Sequence, residues 1–411
     1  VTSSTPPTAP PGGPHGMGGE QFQRGAEQYP GAEQYHQPGG HPGNGHHPGA
    51  APHPSTPGRG APALGQGTGT HHPVQPAYQQ APPAKLAELH ATTARIAANV
   101  ERVLVGKPDV VRLALVTLLA EGHLLVEDVP GVGKTSLAKA LARSIDCSVS
   151  RIQFTPDLLP SDVTGVSIFN RQNNEFEFRP GPVFANIVVG DEINRASPKT
   201  QSALLECMEE HQVTVDARTY PLHSPFMVIA TQNPIEMEGT YALPEAQRDR
   251  FTARVSIGYP DPAAELAMVD EHAGHDVFAT LQPVSDADQV RDLIEVVRGV
   301  QIAQEVRRYA VEVVSATRRL AEIRIGASPR STLHLVRAAR AQAALSGREY
   351  VVPDDLQAVA VPVLAHRLVL TPEAQASRRS PADLVRGLLQ RVPVPQAGAV
   401  DAGSRGQGVR R

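Results

Sequence analysis

Asp128-Val129-Pro130-Gly131-Val132-Gly133-Lys134-Thr135 lies between an apolar run, His123–Glu127, and a helical pattern, Ser136–Ile145. A strand that passes into a helix through a short glycine-bearing loop is a unit of a parallel α/β sheet. The backbone N–H groups of such a loop curl around phosphate oxygens, and the positive end of the next helix faces the same anion. Gly131 and Gly133 admit conformations that side chains would block. Lys134 is placed to reach β- and γ-phosphates, and the Thr135 hydroxyl to ligate Mg²⁺. Pro130, Val132 and Ser136 complete the predicted nucleotide-binding loop. The usual pattern opens with glycine, and here that position is Asp128. Its carboxylate either points away from the phosphates or repels them, and both orientations are open.

Further strands are expected at Val149–Phe154, Ile187–Val189, Phe226–Ala230 and Arg254–Ile257. Ser197 reads as an N-cap, with Pro198 opening a helix that runs to about Glu210. The alternation of strands and helices predicts a parallel α/β sheet. After Tyr259-Pro260 only helical spacing remains. Ile302, Val306, Ala310, Val313, Val314 and Leu320 form one apolar face, and a helix is expected over Ser331–Leu345. The predicted organisation is therefore a tail over residues 1–83, a nucleotide-binding domain over 84–260, a helical domain over 261–392 and a flexible end over 393–411.

Beyond that loop, three groups of residues carry the expected chemistry. Ile187-Val188-Val189-Gly190-Asp191-Glu192 is a buried strand ending in two acids, at the sheet edge where α/β proteins bind ligands. Asp191 would hold Mg²⁺ through water, and Glu192 would orient and deprotonate an attacking water. Asn233, just past another strand, offers a neutral amide to hold that water without competing for the metal. The last group is Arg248, Arg250 and Arg330, since a guanidinium stabilises charge spreading over a transferred phosphoryl group. Arg330, in Ser328-Pro329-Arg330, begins a helix of the second domain and is expected to reach back to the nucleotide.

Glu127–Thr135, Gly190–Lys199, Ala230–Glu236 and Ala242–Phe251 resemble the MoxR group of AAA+ ATPases. Gly326–Arg330 and Tyr350–Asp355 resemble that group's lid domain. The resemblance implies an α/β AAA+ core with a parallel sheet, a C-terminal all-α lid and two inserted β-hairpins. One hairpin matches Gly165–Arg179, turning at Gln172-Asn173-Asn174; the other matches Val213–Tyr220, turning at Asp216-Ala217. It also implies that Arg250 is an arginine finger acting on a neighbouring subunit and Arg330 the lid's sensor arginine. Arg248 stands where the group usually has an apolar residue, which leaves the finger open between Arg248 and Arg250. The implied protein is an ATP- and Mg²⁺-dependent ring of six that remodels or assembles protein clients, among them proteins with a von Willebrand factor A domain.

Composition removes several other classes. Through Pro83, proline and glycine make up 34 of 83 residues, with only five charged side chains. Such a segment lacks the apolar area to offset chain entropy, and it reads as disordered. Its tandem repeat, Gly25–Pro30 and Gly31–His36, is too short for a solenoid. The two cysteines, Cys147 and Cys207, exclude a disulfide framework or a cysteine zinc site and fit a reducing cytoplasm. No apolar run reaches the ~18–20 residues needed to cross a bilayer. A net charge of −4 argues against a general nucleic-acid binder.

Two alternatives stay open. A nucleic-acid-translocating motor needs basic hairpins, yet Val213–Tyr220 offers only Arg218, and Arg171 and Arg179 are offset by Glu175 and Glu177. A nucleotide-gated scaffold with little turnover is kept open by Asp128.

Overall fold

Leu124–Val126, Ile187–Val189 and Met227–Ala230 are apolar at every position, and a strand can bury such a run only when both faces of its sheet are covered. The computed structural model describes residues 82–129, 131–233, 241, 243–263, 265–266 and 277–395. The expected tail over 1–83, apart from its last two residues, lies outside the described residues, as does the chain end past Pro395. The main sheet holds β1 (Leu124–Glu127), β2 (Val149–Gln153), β3 (Ile187–Asp191), β4 (Met227–Gln232) and β5 (Ala253–Val255). All pairs are parallel, in the order β2-β3-β4-β1-β5.

Successive side chains of these strands feed two cores. Leu124, Val126, Ile187, Val189, Met227 and Ile229 pack into the core built with helices α1 (Pro83–Glu101), α2 (Pro108–Leu119) and α3 (Lys134–Ser144). Leu125, Val188, Val228 and Ala230 join the other, with Phe154, Phe251 and the Leu204–Leu205 pair of α4 (Pro198–Glu210). The period of two thus explains why these strands carry no polar face. Glu127 is level with Gln232, and Gly190 with Ala230, so β1, β3 and β4 end together at one edge.

Ser197 caps α4 as expected, its hydroxyl accepting the Thr200 N–H at 3.3 Å. Strand β5 starts one residue earlier and stops two earlier than predicted. Ser256 and Gly258 leave the ladder and direct their donors to Asp128 instead.

The second half is helical, with α5 (Ala287–Arg298), α6 (Gln304–Thr317), α7 (Pro329–Leu345), α8 (Pro353–Leu364) and α9 (Pro381–Arg391). A short ribbon lies among these helices, where Ile323–Ile325 pairs antiparallel with Val369–Leu370. The core of α1–α3 continues into this lid through Leu335, Val359 and Val363. Arg367 fastens lid to sheet. Its buried guanidinium donates to Asp249 Oδ1 at 2.8 Å and to the Phe251 carbonyl at 2.6 Å. The Ser328 hydroxyl donates to the same Asp249 carboxylate at 2.7 Å.

Both hairpins form. Gly165–Asn170 pairs with Glu175–Pro180, and Gln212–Val215 with Arg218–Pro221. Asp216 (φ 50°) and Ala217 (φ 61°) both take the left-handed conformation that a two-residue hairpin turn requires. Phe178 of the first hairpin stacks on Tyr220 of the second, with ring centroids 4.1 Å apart. Phe169 and Phe176 face each other near the first tip, 46% and 69% exposed. Among the described residues no helix is long and apolar enough to cross a membrane.

Candidate nucleotide-binding site

Strand β1 delivers the loop to the sheet's carboxyl edge, and α3 carries the chain away from it. Gly131 and Gly133 have φ of +85° and +93°, a region that strains any residue with a Cβ. Pro130 lies outside the described residues. Gly133 is the N-cap of α3, so Lys134, Thr135 and Ser136 form its first turn, where backbone N–H groups lack helical partners. The Lys134 ammonium folds back over the loop, donating to the carbonyls of Asp128 at 2.7 Å and Val129 at 3.1 Å. Val132 is half-buried beside them.

Asp128 takes the outward orientation. Its Oδ1 accepts the Val129 N–H at 2.8 Å, and its Oδ2 accepts the Ser256 hydroxyl at 2.9 Å and the Gly258 N–H at 2.6 Å. Burial alone would raise its pKa, but these donors outweigh burial and hold the carboxyl below its ordinary value.

Asp191 ends β3 almost fully buried. Its Oδ2 accepts the Thr135 hydroxyl at 3.1 Å and the Arg151 Nε–H at 2.7 Å, and its Oδ1 accepts the Thr231 hydroxyl at 3.1 Å. Thr231 in turn accepts the Glu192 backbone N–H at 3.0 Å. Glu192 has left-handed φ and ψ of 58° and 48°, a cost of roughly 1–3 kcal/mol for a residue with a side chain. That conformation swings it out of the strand direction. Its Oε2 accepts Gln153 Nε2–H at 2.9 Å and lies 3.2 Å from Arg195 Nε. Asn233 follows β4 and is buried at the same edge.

A hydroxyl and a carboxylate in contact are hard oxygen donors suited to Mg²⁺, which keeps waters and substrate oxygens for its remaining positions. Among the described residues no three His, Cys, Asp or Glu side chains converge on a metal. As two such donors in contact, Thr135 and Asp191 fit a magnesium whose other positions go to phosphate and water oxygens.

The arginines lie elsewhere. Arg250 donates through Nη1 to the Leu205 carbonyl at 2.5 Å and pairs through Nη2 with Glu209 Oε2 at 3.1 Å. Arg330 pairs with the other oxygen, Oε1, of the same Glu209. Helix α4 leaves the carboxyl edge just after Glu192, and Glu209 lies roughly 17 Å along it. At that end the Met208 carbonyl contacts His123, immediately before β1. Arg250 and Arg330 therefore sit together toward the amino edge of the sheet. The reach of Arg330 to a nucleotide is not made within this subunit, where it pairs with Glu209 instead. Among the described residues, the buried Arg248 Nε has no hydrogen-bond partner.

Sequence reasoning passed over Arg151, Gln153, Thr231 and Glu209. Arg151 and Gln153 are two apart on β2 and so share a face; their role follows from the register that sets Gln153 beside Asp191. Glu209 carried no sequence signal, because its two partners are distant in the chain.

Comparison with known proteins supplies the kinship. Residues 123–253 match the ATPase family associated with various cellular activities (AAA), and residues 315–388 match the AAA lid domain. Protein YeaC of Bacillus subtilis (strain 168) is 49% identical over 308 residues, which are 75% of this chain and 96% of that protein. Chaperone MoxR1 of Mycobacterium tuberculosis is 43% identical over 353 residues, 83% of this chain and 93% of its own. Protein MoxR of Paracoccus denitrificans is 34% identical over 338 residues, 76% of this chain and 99% of its own. A crystal structure from Cytophaga hutchinsonii superposes with a TM-score of 0.71 at 38% identity, covering 76% of this chain and 98% of that one.

Proposed function

We propose that this chain, which belongs to the MoxR family of AAA+ ATPases, hydrolyses Mg-ATP at sites shared between subunits of a ring and uses the cycle to remodel or assemble a partner protein. One observation carries the reading. The phosphate loop, Asp191, Glu192 and Asn233 gather at one edge of the sheet, while Arg250 and Arg330 gather at Glu209 toward the other. A site completed by both halves needs two copies, one presenting each edge. Such head-to-tail contacts close into rings when the rotation permits, and six copies is the closure that family resemblance suggests.

In this mechanism the Lys134 ammonium leaves the Asp128 and Val129 carbonyls for the β- and γ-phosphates of ATP. Thr135 and Asp191 would hold Mg²⁺, which when bound offsets phosphate charge. Glu192 leaves Gln153 and Arg195 and accepts a proton from the attacking water, which the Asn233 amide helps to hold. Arg250 and Arg330 of the next subunit leave Glu209 and stabilise the charge spreading over the γ-phosphoryl group. Movement of the lid against the sheet then reaches the client through the hairpins. The name of the mycobacterial relative, a chaperone, supports a protein client, and von Willebrand factor A domain proteins are the class to try first.

The outward carboxylate of Asp128 favours turnover over a nucleotide binder with little turnover. The test is Mg-ATP turnover per subunit against protein concentration, with particle mass recorded in parallel. Turnover should rise as rings appear, and Glu192→Gln should bind ATP yet lose about 10²–10⁴-fold in rate. Turnover independent of concentration and assembly would refute the shared site.

A further inference from the structure

We infer that Asp128 is a positioning residue: it braces the phosphate loop against the strand exit that leads into the lid, and nucleotide affinity depends on a contact that no phosphate touches. This rests on the nucleotide reading of the loop given above. Asp128 acts through two different groups. Its main-chain carbonyl accepts the Lys134 ammonium at 2.7 Å, inside the loop. Its carboxylate reaches outward to the Ser256 hydroxyl at 2.9 Å and the Gly258 N–H at 2.6 Å. Glycine at this position would supply the carbonyl and nothing for Ser256 or Gly258.

The far side of the brace is itself held. Gly258 has a φ of +66°, which turns the chain as it leaves the sheet. The next carbonyl, that of Tyr259, accepts the Lys107 ammonium at 2.8 Å. Lys107 belongs to the α1–α2 connection, whose Leu104 also packs against the loop: a Cβ on Gly133 would lie 3.3 Å from Leu104 Cδ1. Phosphate loop, α1–α2 connection and lid entry thus meet around Ser256–Tyr259. With Asp128 fixed from outside, the loop keeps its shape when Lys134 transfers to a phosphate. A loop without that support would have to be ordered by the nucleotide, at a cost in affinity.

A carboxylate near an anion site invites the opposite expectation, that it weakens binding by repulsion, and the two differ in sign. Asp128→Asn keeps the shape and removes the charge, but its amide must present N–H to at least one of the three donors. As a brace, the full-length variant should bind a fluorescent ATP analogue about tenfold more weakly. Ser256→Ala leaves the charge in place and cuts the same brace from the other end, so it should weaken binding about threefold. The double variant should fall short of the product of the two effects, because the contact that Ser256→Ala removes is one of the three that Asp128→Asn impairs. Unchanged or tighter binding by Asp128→Asn would overturn the proposal, and so would full additivity of the two effects. Lys134→Ala keeps the two readings apart. If that variant still binds the analogue, the nucleotide assignment of the loop is at fault; if it does not, the outcome at Asp128 and Ser256 judges the brace.

Discussion

Replacing Asp249 by asparagine should unfasten the lid. Arg367 is a buried cation at the lid–sheet contact, with 2% of its side chain exposed against 18% for Asp249. Its pKa is pushed down to about 10, first by burial, while Asp249 acts in the opposite direction. The cation still carries its proton at neutral pH, and Asp249 is the carboxylate paired with it. Removing one partner of a buried ion pair costs roughly 3–5 kcal/mol. Asp249 keeps some exposure and asparagine can still accept the Nε–H, so about 3 kcal/mol is expected. For domains of this size 1 kcal/mol moves the thermal midpoint by about 2 °C, which makes the shift about 6 °C. Scanning calorimetry should register it, and hydrogen exchange should quicken at Phe251–Ala253 and Ala365–Leu370 before it does in β3. A midpoint within about 1 °C of the parent would refute the idea that this pair holds the lid.

Other outcomes follow from the same geometry. Arg250→Ala should bind ATP normally and lose turnover, and mixing it with Glu192→Gln subunits should restore part of the activity; a mixture as inactive as its components would count against an arginine supplied by a neighbour. His123 is fully buried, and that burial, with His211 adding to it, holds its pKa at about 4 against 6.5 when unfolded. Between those values the unfolded chain binds the extra proton, so stability should fall as pH drops from about 6.5 toward 4. The Val228 N–H donates to His123 Nδ1 and leaves Nε2–H for the Met208 carbonyl, both at 3.0 Å. His123→Gln can serve both partners without titrating, and should lessen that slope in denaturant melts recorded across the window, the buried His334 and His366, whose pKa values burial also lowers, supplying the rest; an unchanged slope would assign the acid sensitivity to those two.

Much of the frame was legible because it rests on local rules. Unbroken apolar runs marked β1, β3 and β4, Ser197-Pro198 marked the start of α4, and two acids after an apolar run marked the edge where Asp191 meets Thr135. The hairpin turn at Asp216-Ala217 was placed through family resemblance, since neither residue is the glycine that usually announces it. What stayed hidden depends on partners far along the chain. The direction of Asp128 is decided by Ser256 and Gly258, and the position of Arg330 by Glu209. The ribbon of Ile323–Ile325 with Val369–Leu370 is too short for a periodicity to register, and it exists only because the lid brings its two strands together.

The stack of Phe178 on Tyr220 has a mechanical meaning. A lone two-stranded hairpin is a compliant spring, and a load at its tip would be lost in bending at its root. Here the second hairpin begins at Gln212, three residues after Glu209, and its ring clamps the first hairpin at mid-length. The two insertions are therefore joined side to side, and the second starts at the end of α4, next to the carboxylate that holds both arginines. In the proposed cycle, release of those guanidiniums would act close to that joint, with Phe169 and Phe176 at the far end of the first hairpin.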